Sequence, residues 1–364
     1  MSAANRSGKQ WSPSELGAVR VGRGSAVRVL VTGATGFVGS HAAKALQDAG
    51  HTVRVLVRTP AKLETVTARV GVDIGSLETA EGDIADAEAV TAAIEGCDAV
   101  VHAAAVVGTD PSSEAEIEAS NFAGALNVLV TAADAGCDPI VHVSSAAALF
   151  PFTTDPVTGD HPVGNARMPY ARSKAESERL ARRLQDSGHG VVIIYPGGVG
   201  GPGDFGESTQ FKPLKLWLTK PFMRSSGYTV NLIDVRDIAA VIAASMEAGR
   251  GPKRYVMFGH HLTSDDLLSV LCEVTGRELK SMSMPRAGFL AWGRMGDLAR
   301  RVGLDLILTS EGTEYMYNTV AGDNSFTEQD TGVTLRSAAD SLADSIAWMR
   351  EEGHLTAEQA GAVP

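Results

Sequence analysis

From Val27 onward the chain alternates between two kinds of pattern. Short, nearly continuous apolar runs, "VRVLVTG", "HTVRVLVR", "DAVVHAAA", "PIVHVSSAA" and "VVIIYPGG", each end in small or turn-forming residues. Between them lie "SHAAKALQDAG", "DAEAVTAAIEGC", "SNFAGALNVLVTAADAGC" and "SKAESERLARRLQDSG", Ala-rich segments whose apolar positions recur at helical spacing. Apolar runs without polar alternation predict strands buried on both faces, and the segments between them predict helices. The order predicts an α/β protein built on a doubly wound parallel sheet with helices on both faces. A ligand is then expected at the carboxyl ends of the strands. No solenoid repeat or low-complexity block competes with this reading.

Composition narrows the picture. At 364 residues and 44% hydrophobic, the chain can bury a large core as one big domain or two intimate ones. A formal charge of −11 argues against nucleic acid or an anionic membrane as the main partner, because both select basic surfaces. A small-molecule substrate is the expected partner, and a homodimer is left open. Cys97, Cys137 and Cys272 form no CxxC pair, and with no secretory apolar segment evident they read as reduced thiols in a cytoplasm. No run approaches the roughly 18 to 20 apolar residues of a membrane span, so stable insertion is not expected. Residues 1–26 are polar and Gly/Ser-rich and are expected to form a mobile tail.

The first strand runs into "VTGATGFVG", whose glycines Gly33, Gly36 and Gly39 are spaced three apart. Because the next segment is a helix, its free N–H groups and positive dipole end point at this turn. A pyrophosphate fits there only if the backbone comes close, which glycine permits. The spacing is GxxGxxG rather than the GxGxxG of many dehydrogenases, and a plain strand-to-helix turn is the competing explanation.

A second constellation is "PYARSK", with Tyr170 and Lys174 four residues apart on one helical face. A free phenol titrates near 10, so proton transfer near neutrality needs a cation beside it, and a lysine one turn away provides one. Such a pair arises easily by chance, but here it opens the helix after "PIVHVSS". Ser144 and Ser145 end that strand at the expected ligand edge, where a hydroxyl can hold a substrate carbonyl.

Taken together these residues resemble the extended short-chain dehydrogenase/reductases, in the branch of dihydroflavonol-reductase-like and sugar-epimerase-like proteins. The resemblance runs from about residue 27 to about residue 350. "VTGATGFVGS" matches the family's phosphate turn, "EGDIAD" its adenine-contacting acid, and "VVHAAA" a strand end whose backbone approaches the cofactor. "SNFAGALNVL" matches its central helix, "VHVSSAAAL" its catalytic serine, "PYARSK" its tyrosine and lysine, and "YPGGVGGPGD" the loop beside the nicotinamide. "VNLIDVRDIAAV", "RYVMFGHHLTSDDLLSVLCEVTGREL" and "DNSFTEQDTGV" resemble its later core helix, substrate-side elements and C-terminal segment.

The resemblance implies a Rossmann-type NAD(P)-binding domain over 27–200, rejoined by 229–250. It implies a smaller substrate-binding region from 201–228 and 251–350, leaving 351–364 as a tail. It implies hydride transfer between a nicotinamide and a carbon bearing oxygen, with catalytic Ser145, Tyr170, Lys174 and Asn121. Ser145 would orient the carbonyl, Tyr170 would donate the proton, Lys174 would bind the nicotinamide ribose, and Asn121 would hold a relay water. The implied cofactor contacts are Gly33, Thr35, Gly36, Phe37, Val38 and Gly39 at the turn, with Asp83 and Ile84 near the adenine. Ala103, Ala104 and Ala105 follow the fourth strand, and Pro196, Gly198 and Val199 lie beside the nicotinamide with Tyr170 and Lys174.

Reaction type is narrowed further by two alanines. Dehydratases of the family place an acidic pair after the catalytic hydroxyl residue, where this chain has Ala146 and Ala147, so dehydration is disfavoured. A nucleotide-sugar epimerase that retains its cofactor is the alternative, with Lys212, Lys215, Lys220 and Arg224 as candidate diphosphate contacts. A non-catalytic redox sensor of the same fold normally lacks the tyrosine and lysine, and ranks last.

Cofactor choice rests on "HTVRVLVRTP", whose strand should end near Val57 and place Arg58 beside the adenine ribose. An Asp or Glu there suits the 2′-hydroxyl of NAD, whereas arginine suits a 2′-phosphate, so NADP is expected over NAD. A solvated Arg58 is the competing explanation.

Other features take plain structural readings. His102 and His142 are expected as satisfied core histidines, and His260 and His261 lack partners at metal spacing, so no metal is expected. Phe289, Trp292, Met295 and Leu298 lie at helical spacing, which predicts a packed helix in the substrate region rather than a lid or membrane-surface helix.

Overall fold

The computed structural model describes residues 26–105, 114–208, 210–220, 223–225, 227–300 and 309–363. The tail expected over 1–26 lies almost wholly outside these residues. Twelve strands are described: β1 (Arg28–Thr32), β2 (Thr52–Val57), β3 (Glu78–Glu81), β4 (Ala99–His102), β5 (Ile140–Val143), β6 (Val191–Pro196), β7 (Gly198–Gly200), β8 (Met223–Ser225), β9 (Thr229–Asp234), β10 (Lys253–Met257), β11 (His260–Thr263) and β12 (Ser281–Ser283). The first helices are α1 (Phe37–Asp48), α2 (Pro60–Val70), α3 (Ala87–Ile94), α4 (Glu114–Asp134), α5 (Pro169–Asp186), α6 (Phe211–Thr219) and α7 (Val235–Ala244). They are followed by α8 (Ser264–Thr275), α9 (Arg286–Arg300), α10 (Ser310–Asn318), α11 (Ser325–Thr331), α12 (Ala338–Glu351) and α13 (Ala357–Ala360).

Seven strands form one parallel sheet in the order β10-β6-β5-β4-β1-β2-β3. Strand side chains alternate between its two faces, so each strand feeds two cores. Val29, Val31, Val53, Val55, Val101 and Ile194 meet Ala42, Ala43 and Leu46 of α1 and Ile238 and Ile242 of α7 on one face. Leu30, Leu56, Val100, Ile140 and Ile193 meet α3, α4 and α5 through Ile94, Val128, Leu129 and Leu180 on the other. Each such side chain, fully buried, contributes about 1.5–3 kcal/mol. The order of strands reverses between β1 and β4, and this places a crevice at their carboxyl ends.

Two small sheets complete the fold. β9 pairs in parallel with β7 and antiparallel with β11, while β8 pairs in parallel with β12. A third core joins α6, α8 and α12 through Phe211, Leu214, Leu267, Leu342 and Trp348.

The domain outline drawn from sequence differs from the structure at two places. β10 lies within the stretch assigned to the substrate region, yet it joins the main sheet, covering the edge of β6 with buried Tyr255, Val256 and Met257. Residues 351–364, expected as a tail, form α13 after a capping box between Thr356 and Gln359, with Ala360 and Val363 buried in the third core.

Candidate functional site

The glycine turn lies between β1 and α1. Gly33 has φ of +79°, and a Cβ there would sit 2.7 Å from the Ala104 backbone nitrogen. A Cβ on Gly39 would overlap the Gly33 carbonyl. These two glycines are thus demanded by the chain's packing on itself. Gly36 differs: it is exposed at the N-cap of α1, brings no side-chain cap, and has open space beyond the Gly33 carbonyl, which a Cβ would meet at 3.2 Å. The helix therefore presents its first-turn N–H groups to an open crevice, an arrangement that fits a pyrophosphate. Thr35, Phe37 and Val38 around it are half-buried.

The other predicted contacts gather at the same edge. Ala103, Ala104 and Ala105 follow β4 and are half-buried. Pro196 ends β6, and Gly198 and Val199 open β7. Beyond β3, Ile84 is fixed by α4: its carbonyl accepts from Asn127 Nδ2 at 2.9 Å, and a Cβ on Gly124 would overlap its side chain. β2 ends at Val57, so Arg58 stands at the strand's tip with its side chain 72% exposed. Its guanidinium lies 3.7 Å from the Asp83 carboxylate, which also accepts the Ala85 N–H. The residue chosen for a 2′-phosphate and the acid chosen for adenine are therefore neighbours.

Catalytic candidates meet where β5 ends and α5 begins. Ser145 leaves the strand in extended backbone and caps a short 3₁₀ turn through Ala146–Leu149. Burial raises the Tyr170 phenol pKa, and the Ser145 side chain beside it pulls the other way. Pro169 starts α5, so Tyr170 sits in the first turn and Lys174 one turn on. Lys174 is 6% exposed and donates to the Val143 carbonyl at 3.0 Å. Burial pushes its ammonium down to about 8, with the Glu178 carboxylate pulling the other way. Asn121 of α4 is buried and donates to Ser173 Oγ at 3.4 Å, and Ser173 Oγ donates to the Tyr170 carbonyl. Ser145, Tyr170, Lys174 and Asn121 are thus brought together.

The second region supplies residues that no local sequence signal marks. Tyr315 of α10 lies beside Tyr170; burial raises its pKa, and the Tyr170 phenol adds to the rise. Its ring contacts Phe150 and Phe152 at centroid distances of 5.0 and 6.1 Å. With Met168 these residues make an aromatic wall next to Tyr170. Glu311, one turn earlier on α10, accepts the backbone N–H groups of Arg167 and Met168 at 2.7 and 2.6 Å, just ahead of α5.

The candidate diphosphate contacts lie elsewhere. Lys212 and Lys220 are exposed, and Lys215 lies over the Phe211 ring, on a helix whose buried face belongs to the third core. The Arg224 side chain lies outside the described residues.

Among the histidines, His102 shares a 2.8 Å hydrogen bond with Thr32 Oγ1. His142 stacks on His102 at 5.7 Å, yet neither of its ring nitrogens has a hydrogen-bond partner among the described residues, so only one of the two is satisfied as expected. Burial keeps both neutral, His102 falling to about 3. His260 and His261 bond the Arg336 carbonyl and Asn231 Oδ1. Among the described residues no group of His, Cys, Asp and Glu is arranged for a metal ion, and no helix is long and apolar enough to cross a membrane. α9 packs through Phe289 against Tyr228 and Tyr317, while Met295 and Leu298, expected on the packed face, are 63% and 62% exposed.

Fold and site together define an NAD(P)-dependent enzyme of the short-chain dehydrogenase/reductase type. The chain belongs to the NAD dependent epimerase/dehydratase family, whose profile matches residues 29–257. It is 27% identical over 335 residues to sterol demethylase protein B of Methylococcus capsulatus, covering 89% of this chain and 98% of that protein. It is 26% identical over 340 residues to a protein of Synechocystis provisionally named dihydroflavonol 4-reductase, covering 89% and 95%. The crystal structure of gox2253 shares the fold with a TM-score of 0.75 and 24% identity, covering 91% of this chain and 99% of that one.

Proposed function

We propose that this enzyme interconverts a ketone and a secondary alcohol on a largely apolar substrate, using Ser145, Tyr170 and Lys174, with NADP(H) as its preferred cofactor. The observation that carries the proposal is the placement of the Ser145 side chain beside the Tyr170 phenol, with Lys174 one turn away on the same helical face. When bound, the nicotinamide supplies or accepts the hydride. Ser145 holds the substrate oxygen, and in reduction Tyr170 gives that oxygen a proton as negative charge develops on it. The Lys174 ammonium favours the phenolate left behind and would also bind the cofactor ribose. Asn121 steadies the relay that returns the proton. The open N-terminus of α1 would hold the pyrophosphate, and Arg58 would meet the 2′-phosphate.

Phe150, Phe152, Met168 and Tyr315 support an apolar substrate, since they and not the cations of α6 stand beside Tyr170. The relative named for sterol demethylation is consistent with that choice. Epimerisation of a nucleotide sugar uses the same three residues and is the alternative. A screen that follows absorbance of the reduced nicotinamide separates the two, with apolar ketones and alcohols in one arm and nucleotide sugars in the other. Net oxidation or reduction in the first arm supports the proposal. Turnover of a nucleotide sugar with no net change in nicotinamide overturns it in favour of epimerisation.

A further inference from the structure

Helix α5 carries a row of four functional side chains at intervals of one turn: Tyr170, Lys174, Glu178 and Arg182. Residues four apart share a helical face, so the row continues inward from the catalytic pair. Glu178 is wholly buried, and both of its carboxylate oxygens are occupied. Oε2 accepts the Ser144 hydroxyl at 2.9 Å, and Oε1 accepts the Tyr195 hydroxyl at 2.6 Å and Arg182 Nε at 2.7 Å. Arg182 is held in turn, donating to the Tyr195 oxygen at 3.0 Å and the His161 carbonyl at 2.9 Å.

Burying an ion pair is a poor way to stabilise a fold, because desolvation of both charges offsets most of their attraction, and apolar residues of like volume often do as well. The placement of this one points instead to the site. Ser144, which Glu178 grips, lies between Val143, whose carbonyl accepts Lys174 Nζ, and Ser145. Among the described residues, the charged and titratable groups that interact with Lys174 are Glu178 on α5, His102 on β4 and His142 on β5. Both histidines are held neutral by burial. Among these groups Glu178 alone brings a negative charge.

Building on the roles proposed above for Tyr170 and Lys174, we infer that Glu178 is a positioning residue: its fixed carboxylate keeps Lys174 protonated and holds the Ser144–Ser145 strand end in register with α5. It touches neither substrate nor cofactor. Tyr195 and Arg182 fix where that carboxylate sits by donating to its other oxygen. Its pull on Lys174 opposes the downward push of burial.

The test is the pH dependence of NADPH binding, followed by fluorescence, for wild type, E178Q, E178D, R182Q and K174M. Binding weakens on the alkaline side as Lys174 loses its proton. Removing the carboxylate should move that limb down by about one pH unit or more, since a nearby opposite charge shifts a pKa by roughly 1–3 units. Removing Arg182 should move it up, because the carboxylate then acts on Lys174 uncompensated. E178D keeps the charge and should leave the limb near the wild-type position even where turnover falls. Should E178Q fail to fold with Arg182 left unpaired, the E178Q/R182Q double variant deletes both charges and should still titrate below wild type. Equal shifts in E178Q and R182Q, or an unmoved limb in E178Q and the double variant, would overturn the inference and leave Glu178 a purely structural group. An alkaline limb that survives in K174M would instead refute the role given to Lys174 itself.

Discussion

The Glu311 carboxylate accepts a hydrogen bond from the Met168 backbone N–H at 2.6 Å, across 143 residues of sequence. Met168 is the N-cap of α5, and its own side chain makes no cap. Helix α10 therefore supplies the negative group that the start of α5 lacks, at the end where the helix dipole favours one. Tyr170 follows two residues later. Substituting Glu311→Ala should cost about 1–2 kcal/mol in stability, as expected for losing a charged hydrogen-bond partner. It should also lower kcat more than cofactor affinity, because the tyrosine rather than the phosphate turn loses its support. A fall in melting temperature with unchanged kcat would confine Glu311 to a structural role.

Lys174 makes a separate prediction for the protein without cofactor. Its folded-state pKa, about 8, lies below the ordinary 10.5. Between those values the unfolded chain binds a proton that the folded one has released, so stability rises with pH across that window. Below about pH 8 the full penalty stands, roughly 3 kcal/mol at 1.36 kcal/mol per unit. Lys174→Met should therefore raise the melting temperature at pH 7, with the gain shrinking from pH 8 upward. A variant less stable than wild type at pH 7 would contradict the desolvation argument.

Arg58 tests the cofactor choice. The guanidinium is largely exposed and only loosely paired with Asp83 at 3.7 Å, a surface ion pair that contributes little on its own. Arg58→Ala should weaken NADP(H) by about ten- to a hundredfold, the range of a charged hydrogen bond, and NAD(H) much less. Dissociation constants measured for both cofactors check this. Equal losses would remove the 2′-phosphate role.

Much of the fold was legible because its strands are apolar on both faces. "VRVLVTG" and "VVIIYPGG" have no polar alternation, and only a central parallel strand buries such runs. Helix α5 was equally plain, since the Tyr170 and Lys174 spacing is local. Glu178 lay in the same register in "SKAESER", and the four-residue row would have shown it. Glu311 and Tyr315 left no such trace: each acts on residues well over a hundred positions away, and only tertiary packing reveals them. α13 was missed because four residues give too little periodicity, although Thr356 and Gln359 carry a capping-box signature. The exposed side of α9 was misjudged because Met295 and Leu298 share the spacing of Phe289 without sharing its neighbours.

The central claim is that Tyr170 moves the proton that accompanies hydride transfer, and the direct measurement is Tyr170→Phe against wild type on a substrate found by the screen. Phenylalanine keeps the ring that packs against Phe150 and Tyr315 and removes the hydroxyl that Ser145 engages. NADPH binding should be retained while kcat falls about 10²- to 10⁴-fold, the usual contribution of general acid catalysis. Turnover near the wild-type rate, with cofactor still bound, would contradict the account.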